Sequence, residues 1–206
     1  MKIIAISGLD GSGKSCQLEK LEKNLKNKNH KVRRFHMVDF SIANKILRPK
    51  KKKTSGKTAS KTSASGKAVF LRKVALIIDV FRFRHFFLLN ARFKKIDYLL
   101  TDRYFFDQIA NIKYLERNKS LAKIPFWQKV VEKYALKPDY GFYLRITPEE
   151  ITKRSGGVEQ GLQYLKDKFK IYEFFYKKWG LRSIDGSQSI EAVENKILQE
   201  MNISKS

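Results

Sequence analysis

Five short runs read as strand candidates, and helical stretches alternate with them. The first run, Lys2-Ile3-Ile4-Ala5-Ile6-Ser7, is nearly continuous, as expected of a strand buried on both faces. Beyond it, Leu18, Leu21 and Leu25 fall on one face of a helix predicted over about 14–28. A second strand is expected over Lys31 to Val38, a long helix over about 68–95, and a third strand at Tyr98-Leu99-Leu100-Thr101. Helices near 105–118 and 124–136 lead to a fourth strand, Tyr140 to Ile146. Thr147 is a good cap for a helix starting at Pro148-Glu149-Glu150, whose acidic pair suits the positive end of the helix dipole. Arg182-Ser183-Ile184-Asp185 supplies a fifth strand. Ile190, Val193, Ile197 and Leu198 share one side of a last helix over 189–202. Strands alternating with helices predict an α/β fold, a five-stranded parallel sheet flanked by helices, as one domain over residues 1–206.

Between the first strand and the first helix stands Gly8-Leu9-Asp10-Gly11-Ser12-Gly13-Lys14-Ser15, which fits G-x-x-x-x-G-K-[ST] at every fixed position. The strand-to-helix setting is the one in which that pattern forms a phosphate-binding loop, so the fold class expected is that of the P-loop NTPases. Glycines let the backbone curl until its N–H groups point at phosphate oxygens, and the helix N-terminus adds partial positive charge. Gly8, Asp10, Gly11, Ser12, Gly13, Lys14, Ser15 and the adjoining Cys16 are therefore the expected nucleotide-binding residues. Lys14 would reach the β- and γ-phosphates of ATP, and the Ser15 hydroxyl would ligate Mg²⁺. The third strand ends in Thr101-Asp102-Arg103-Tyr104. A carboxylate at the C-terminal edge of a strand beside the phosphate loop can hold a Mg²⁺-bound water, which makes Asp102 the second metal-site candidate. Arg103 presents a planar fork suited to a phosphate monoester.

Charge narrows the picture further: 44 Lys and Arg against 20 Asp and Glu give a net +24, which favours polyanionic ligands or a lysine-rich solvated surface. Residues 49–67 are a low-complexity basic stretch, and 49–68 holds seven lysines and no acid. Such a segment buries too little apolar area to offset its ordering entropy, so a disordered insertion is expected, able to bind nucleic acid or an anionic surface. One cysteine, Cys16, excludes an internal disulfide and suits a reducing compartment. The three histidines lack metal-ligand spacing. No apolar run approaches the ~20 residues of a membrane span, and the chain opens directly on a strand, so a soluble, cytoplasmic protein is expected.

Taken together the motifs resemble the thymidylate kinase family, nucleoside monophosphate kinases of the P-loop class. Asp10 within the loop, Gln17-Leu18 after it, and Asp102-Arg103-Tyr104 match the family's form. Arg82, 21 residues before Arg103, stands at the separation from which the family projects an arginine toward the base. Thr147 to Arg154 resembles the strand-to-lid segment, and Ile184 to Glu191 the adenine-side loop and helix. The resemblance implies ATP as donor with Mg²⁺, a nucleoside monophosphate as acceptor with dTMP favoured, and a homodimer built on the aromatic-rich helix 68–95. It assigns catalysis to Lys14, Arg103, Arg154 and Asp10. Asp10, Arg82, Arg103 and Tyr104 would contact the acceptor.

The chain departs from the family on the acceptor side. An Arg-Glu-Pro-Gly segment after the second strand is replaced by Val38-Asp39-Phe40-Ser41-Ile42-Ala43, leaving Arg48 or a loop lysine to substitute. The base-stacking aromatic is replaced by Ile78, with Phe81 and Phe83 as nearby candidates. The lid segment Ser155 to Tyr164 is poor in arginine, and Asp107 stands where the family has serine. Two alternatives stay open: a divergent P-loop protein with another acceptor, and a nucleic-acid or membrane-surface binding role. A GTPase switch is disfavoured because no Asn-Lys-x-Asp guanine-reading signature is present.

Overall fold

A computed structural model of the chain describes residues 1–47, 64–93, 95–116, 120–155 and 161–203. Its sheet contains β1 (Lys2–Gly8), β2 (Val32–His36), β3 (Tyr98–Asp102), β4 (Tyr140–Arg145) and β5 (Arg182–Asp185), in the order β2-β3-β1-β4-β5 with every pair parallel. Around it lie α1 (Lys14–Asn27), α2 (Met37–Phe40), α3 (Ile42–Leu47), α4 (Gly66–Phe93), α5 (Phe105–Glu116), α6 (Phe126–Tyr134), α7 (Pro148–Ser155), α8 (Gly161–Phe175) and α9 (Ile190–Glu200). This is the α/β architecture that the apolar pattern predicts and the P-loop fold that the Gly8 to Ser15 motif predicts.

The alternation along β1 distributes the core. Ile3 and Ala5 face a large cluster built with α4, α5, α6 and α8, while Ile4 and Ile6 face a smaller one with Leu18, Leu21 and Leu25 of α1 and Val193, Ile197 and Leu198 of α9. Burying both faces of β1 explains its unbroken apolar run. It also fixes β1 centrally between β3 and β4, so that Gly8 and Asp102 emerge together at the sheet's C-terminal edge. Open parallel sheets bind ligands at that edge.

The second strand is shorter than expected. Its pairing partner β3 ends at Asp102, opposite His36, so the backbone past His36 has no ladder to join and turns into α2. Two features missed in the sequence, α2 and α3, follow from this. Asp79 of α4 accepts from the Ile42 backbone N–H at 3.1 Å and pins the start of α3. Thr147 caps α7 as expected: its hydroxyl accepts from the Glu150 N–H at 3.3 Å, and the Glu150 carboxylate accepts from the Thr147 N–H at 3.2 Å. Residues 48–63 of the basic stretch, including Arg48, lie outside the described residues. Its end is helical, since α4 starts at Gly66 with the Ser65 hydroxyl accepting from the Ala68 N–H at 3.3 Å. A serine cap therefore draws the helix two residues further back than the apolar pattern alone suggests.

Candidate active site at the sheet edge

The phosphate loop leaves β1 at Gly8, where φ is +150° and a Cβ would sit 2.9 Å from the Leu144 carbonyl oxygen and 3.0 Å from Ser12 Oγ. Any side chain there would force the loop off β4. Gly13, at φ +90°, is the N-cap of α1; it brings no side-chain cap, and the first turn contains no acid. The positive end of α1 is therefore left for an external anion. Lys14 is 5% exposed, and its ammonium donates to the carbonyls of Gly8 at 3.0 Å and Leu9 at 2.5 Å. Burial, with Arg103 nearby, lowers its pKa to about 8. A buried ammonium resting on neutral carbonyls is held ready for phosphate oxygens.

Ser15 Oγ donates to Asp102 Oδ2 at 3.3 Å. This hydroxyl–carboxylate pair suits a hard cation that keeps most of its waters and takes further oxygens from phosphates, as Mg²⁺ does. No three His, Cys, Asp or Glu converge as a metal cage among the described residues. His36 also contacts Asp102, at 3.2 Å from Nε2 to Oδ2. That hydrogen bond raises the imidazole pKa despite partial burial. Burial opposes ionisation of Asp102, but His36, Lys14 and Arg103 keep its pKa below the usual carboxylate value.

Arg103 sits at φ +60°, an unfavourable conformation for a non-glycine residue, and it is held there by an ion pair with Asp10. The other Asp10 oxygen accepts from the Tyr164 hydroxyl at 2.5 Å, and Lys168 Nζ stands 3.6 Å behind it. Burial would raise the Asp10 pKa, yet Lys168, Arg103 and Lys14 hold it well below the ordinary range. Asp107 locks the two motifs together: it accepts from Ser7 Oγ at 2.7 Å, the Tyr104 N–H at 2.7 Å and the Tyr172 hydroxyl at 2.6 Å. The serine-to-aspartate departure at 107 thus gives the loop and the Asp102–Arg103 turn a shared buried anchor.

The structure thus brings Asp10, Lys14, Ser15, Asp102 and Arg103 into one cluster. Cys16 is half-buried in the first turn of α1. Arg82 stands apart, donating to Asp79 at 2.5 Å and to the Phe40 carbonyl at 3.2 Å, with its guanidinium 4.4 Å from the Phe40 ring centroid. The aromatic beside Arg82 is therefore Phe40 of α2. Phe83 lies in the core, and Phe81 packs on Tyr134 at 5.4 Å. The Tyr104 side chain is fully buried, its hydroxyl donating to the Leu136 carbonyl, so the ring serves the aromatic core with Phe83 and Phe105. Arg154 donates to the Gly186 carbonyl at 2.8 Å and to that of Ser187, tying α7 to the loop after β5. Residues 156–160 of the lid segment lie outside the described residues.

Sequence reasoning missed Tyr164, Lys168 and Tyr172. They recur every fourth residue along α8, which puts two hydroxyls and an ammonium on one helical face amid apolar neighbours. That spacing was the available signal.

A family model described as thymidylate kinase matches residues 6–197. The thymidylate kinase of Plasmodium falciparum (isolate 3D7) is 26% identical over 205 residues, covering 97% of this chain and 89% of the relative. That of Arabidopsis thaliana is 25% identical over 203 residues, covering 96% of this chain and 69% of the relative. A protein named probable thymidylate kinase in Methanocaldococcus jannaschii is 28% identical over 202 residues, covering 95% and 93%.

Proposed function

The chain belongs to the thymidylate kinase family, and from that premise we propose that it transfers the γ-phosphoryl group of ATP to a nucleoside monophosphate, with dTMP the favoured acceptor. The observation that carries this is the juxtaposition of Arg103 with the phosphate loop through Asp10. A donor site alone would serve an ATPase equally well; a half-buried arginine fork beside that site supplies the phosphomonoester clamp a kinase needs.

In this reading Lys14 leaves its loop carbonyls for the β- and γ-phosphates, while the free N–H groups at the start of α1 bind the same anion. Arg103 binds the acceptor phosphate in line with the γ-phosphoryl group, and Asp10 orients Arg103 and a sugar or phosphate oxygen of the acceptor. Ser15 and Asp102 would hold Mg²⁺, which neutralises phosphate charge when bound. Arg154, now donating to the Gly186 and Ser187 carbonyls, would neutralise charge on the transferring phosphoryl group, and the loop it holds borders the adenine side. Because phosphoryl transfer is catalysed almost wholly by positioning and charge stabilisation, these side chains suffice without a nucleophile on the protein.

Arg82 stacked on Phe40 takes the base side and so bears on base preference. A panel of nucleoside monophosphates tested for ADP release with ATP and Mg²⁺ decides it: dTMP should give the highest kcat/KM. Release that no monophosphate stimulates would overturn the kinase reading.

Helix α4 presents Phe70 (67% exposed), Val74, Ile78 and Phe81 along one outer stripe. We take a second copy of the chain to cover it. Sedimentation at micromolar concentration should give a dimer, and Phe81→Glu should give a monomer; a monomeric parent refutes this partner. Among the described residues no helix is long and apolar enough to cross a membrane.

A further inference from the structure

The acceptor side contains an ammonium that the proposed mechanism does not use. Lys168 of α8 is 1% exposed, an arrangement rare for lysine without a defined partner. Its Nζ donates to the Tyr164 hydroxyl at 3.0 Å, the same hydroxyl donates to Asp10 Oδ2 at 2.5 Å, and Arg103 holds Asp10 Oδ1. Burial alone would lower the Lys168 pKa, but Asp10 and the Tyr164 hydroxyl raise it above the ordinary lysine value. The ammonium is therefore charged, and Asp10, Arg103 and Lys168 together bear a net +1.

That count matters because a lone Asp10–Arg103 pair would be neutral, and a phosphomonoester dianion gains little from a neutral pair. The sequence from Arg34 to Lys45, where β2 leads into α2 and α3, contributes no lysine or arginine between those two residues. We propose that Lys168 is the positioning residue of the acceptor-phosphate site, sharing the Asp10 charge through Tyr164 and so leaving the Arg103 guanidinium positive toward a phosphomonoester dianion. Lys168 itself stays in the second row, behind Tyr164, and does not touch the acceptor.

This inference rests on the kinase reading, and steady-state kinetics of the full chain separate the two. In Lys168→Met, KM for dTMP should rise about tenfold, the effect expected for losing one buried charge interaction, while KM for ATP stays within about twofold. Tyr164→Phe removes the hydroxyl and keeps the ring; it should also raise the dTMP KM selectively, and it carries the test if Lys168→Met does not fold. A folded Lys168→Met or a Tyr164→Phe with an unaltered dTMP KM overturns the role of Lys168 while leaving the kinase reading intact. So does an equal rise for both substrates, the mark of general loosening. If the parent chain phosphorylates no monophosphate at all, the kinase reading falls and this inference with it.

Discussion

Replacing Lys14 with alanine is expected to lower kcat/KM for phosphoryl transfer roughly a thousandfold, the loss typical when a preorganised charge is removed from a developing negative centre. The expectation follows from where the ammonium sits. Buried, with a pKa lowered to about 8 and donating to the neutral oxygens of Gly8, Leu9 and Ser12, Lys14 has no ion-paired carboxylate to leave before it meets phosphate. Its charge is poorly solvated in the free protein and well used in the complex, so the nucleotide gains most of what burial costs. A second readout separates binding from chemistry. Saturating ATP with Mg²⁺ should raise the melting temperature of the parent by ligand linkage and leave Lys14→Ala almost unmoved. Equal ATP-induced shifts in the two proteins would place the triphosphate elsewhere.

Arg103→Lys should produce the next largest effect, and a selective one. The lysine retains the positive charge, and as an L-residue it faces the same backbone cost at φ +60°, so fold and Asp10 contact should be largely preserved. What disappears is the planar fork. Losing one of two parallel charge-assisted hydrogen bonds to a phosphate is worth ~2–3 kcal/mol, or about 30- to 150-fold in acceptor KM. ATP, bound through the loop amides and Lys14, should change by less than about threefold. Comparable losses for ATP and acceptor would remove Arg103 from the acceptor side.

The parts of the site that a local pattern can encode were legible from the residues. Gly8 to Ser15 must be read as a loop between strand and helix, because glycines at φ +150° and +90° have no substitute. Asp102 could be placed because a strand end paired to β1 leaves few positions for its carboxylate. Thr147 and the acidic pair Glu149–Glu150 announced the start of α7, where the fold closes a capping box. What escaped depends on contacts distant in sequence. Tyr164 and Lys168 reach Asp10 across 154 and 158 positions, and no local spacing says which helix will cross the loop. β2 ended early because of where β3 ended, not because of its own residues. Phe40 became the partner of Arg82 only once Asp79 had tied α3 to α4, which no propensity foretells. Tyr104 reads as a site residue by its neighbours Asp102 and Arg103, yet the helix that begins at Phe105 turns its ring into the core.

Phosphoryl transfer, as opposed to nucleotide hydrolysis, is tested most directly by following the γ-phosphate itself. The full chain is incubated with ATP labelled on that phosphate, Mg²⁺ and dTMP, and the products are separated by chromatography. The Asp10–Arg103–Lys14 arrangement predicts label in dTDP, lost in Lys14→Ala and sharply reduced in Arg103→Lys. Label released only as inorganic phosphate, or retained in ATP whatever monophosphate is supplied, would contradict it.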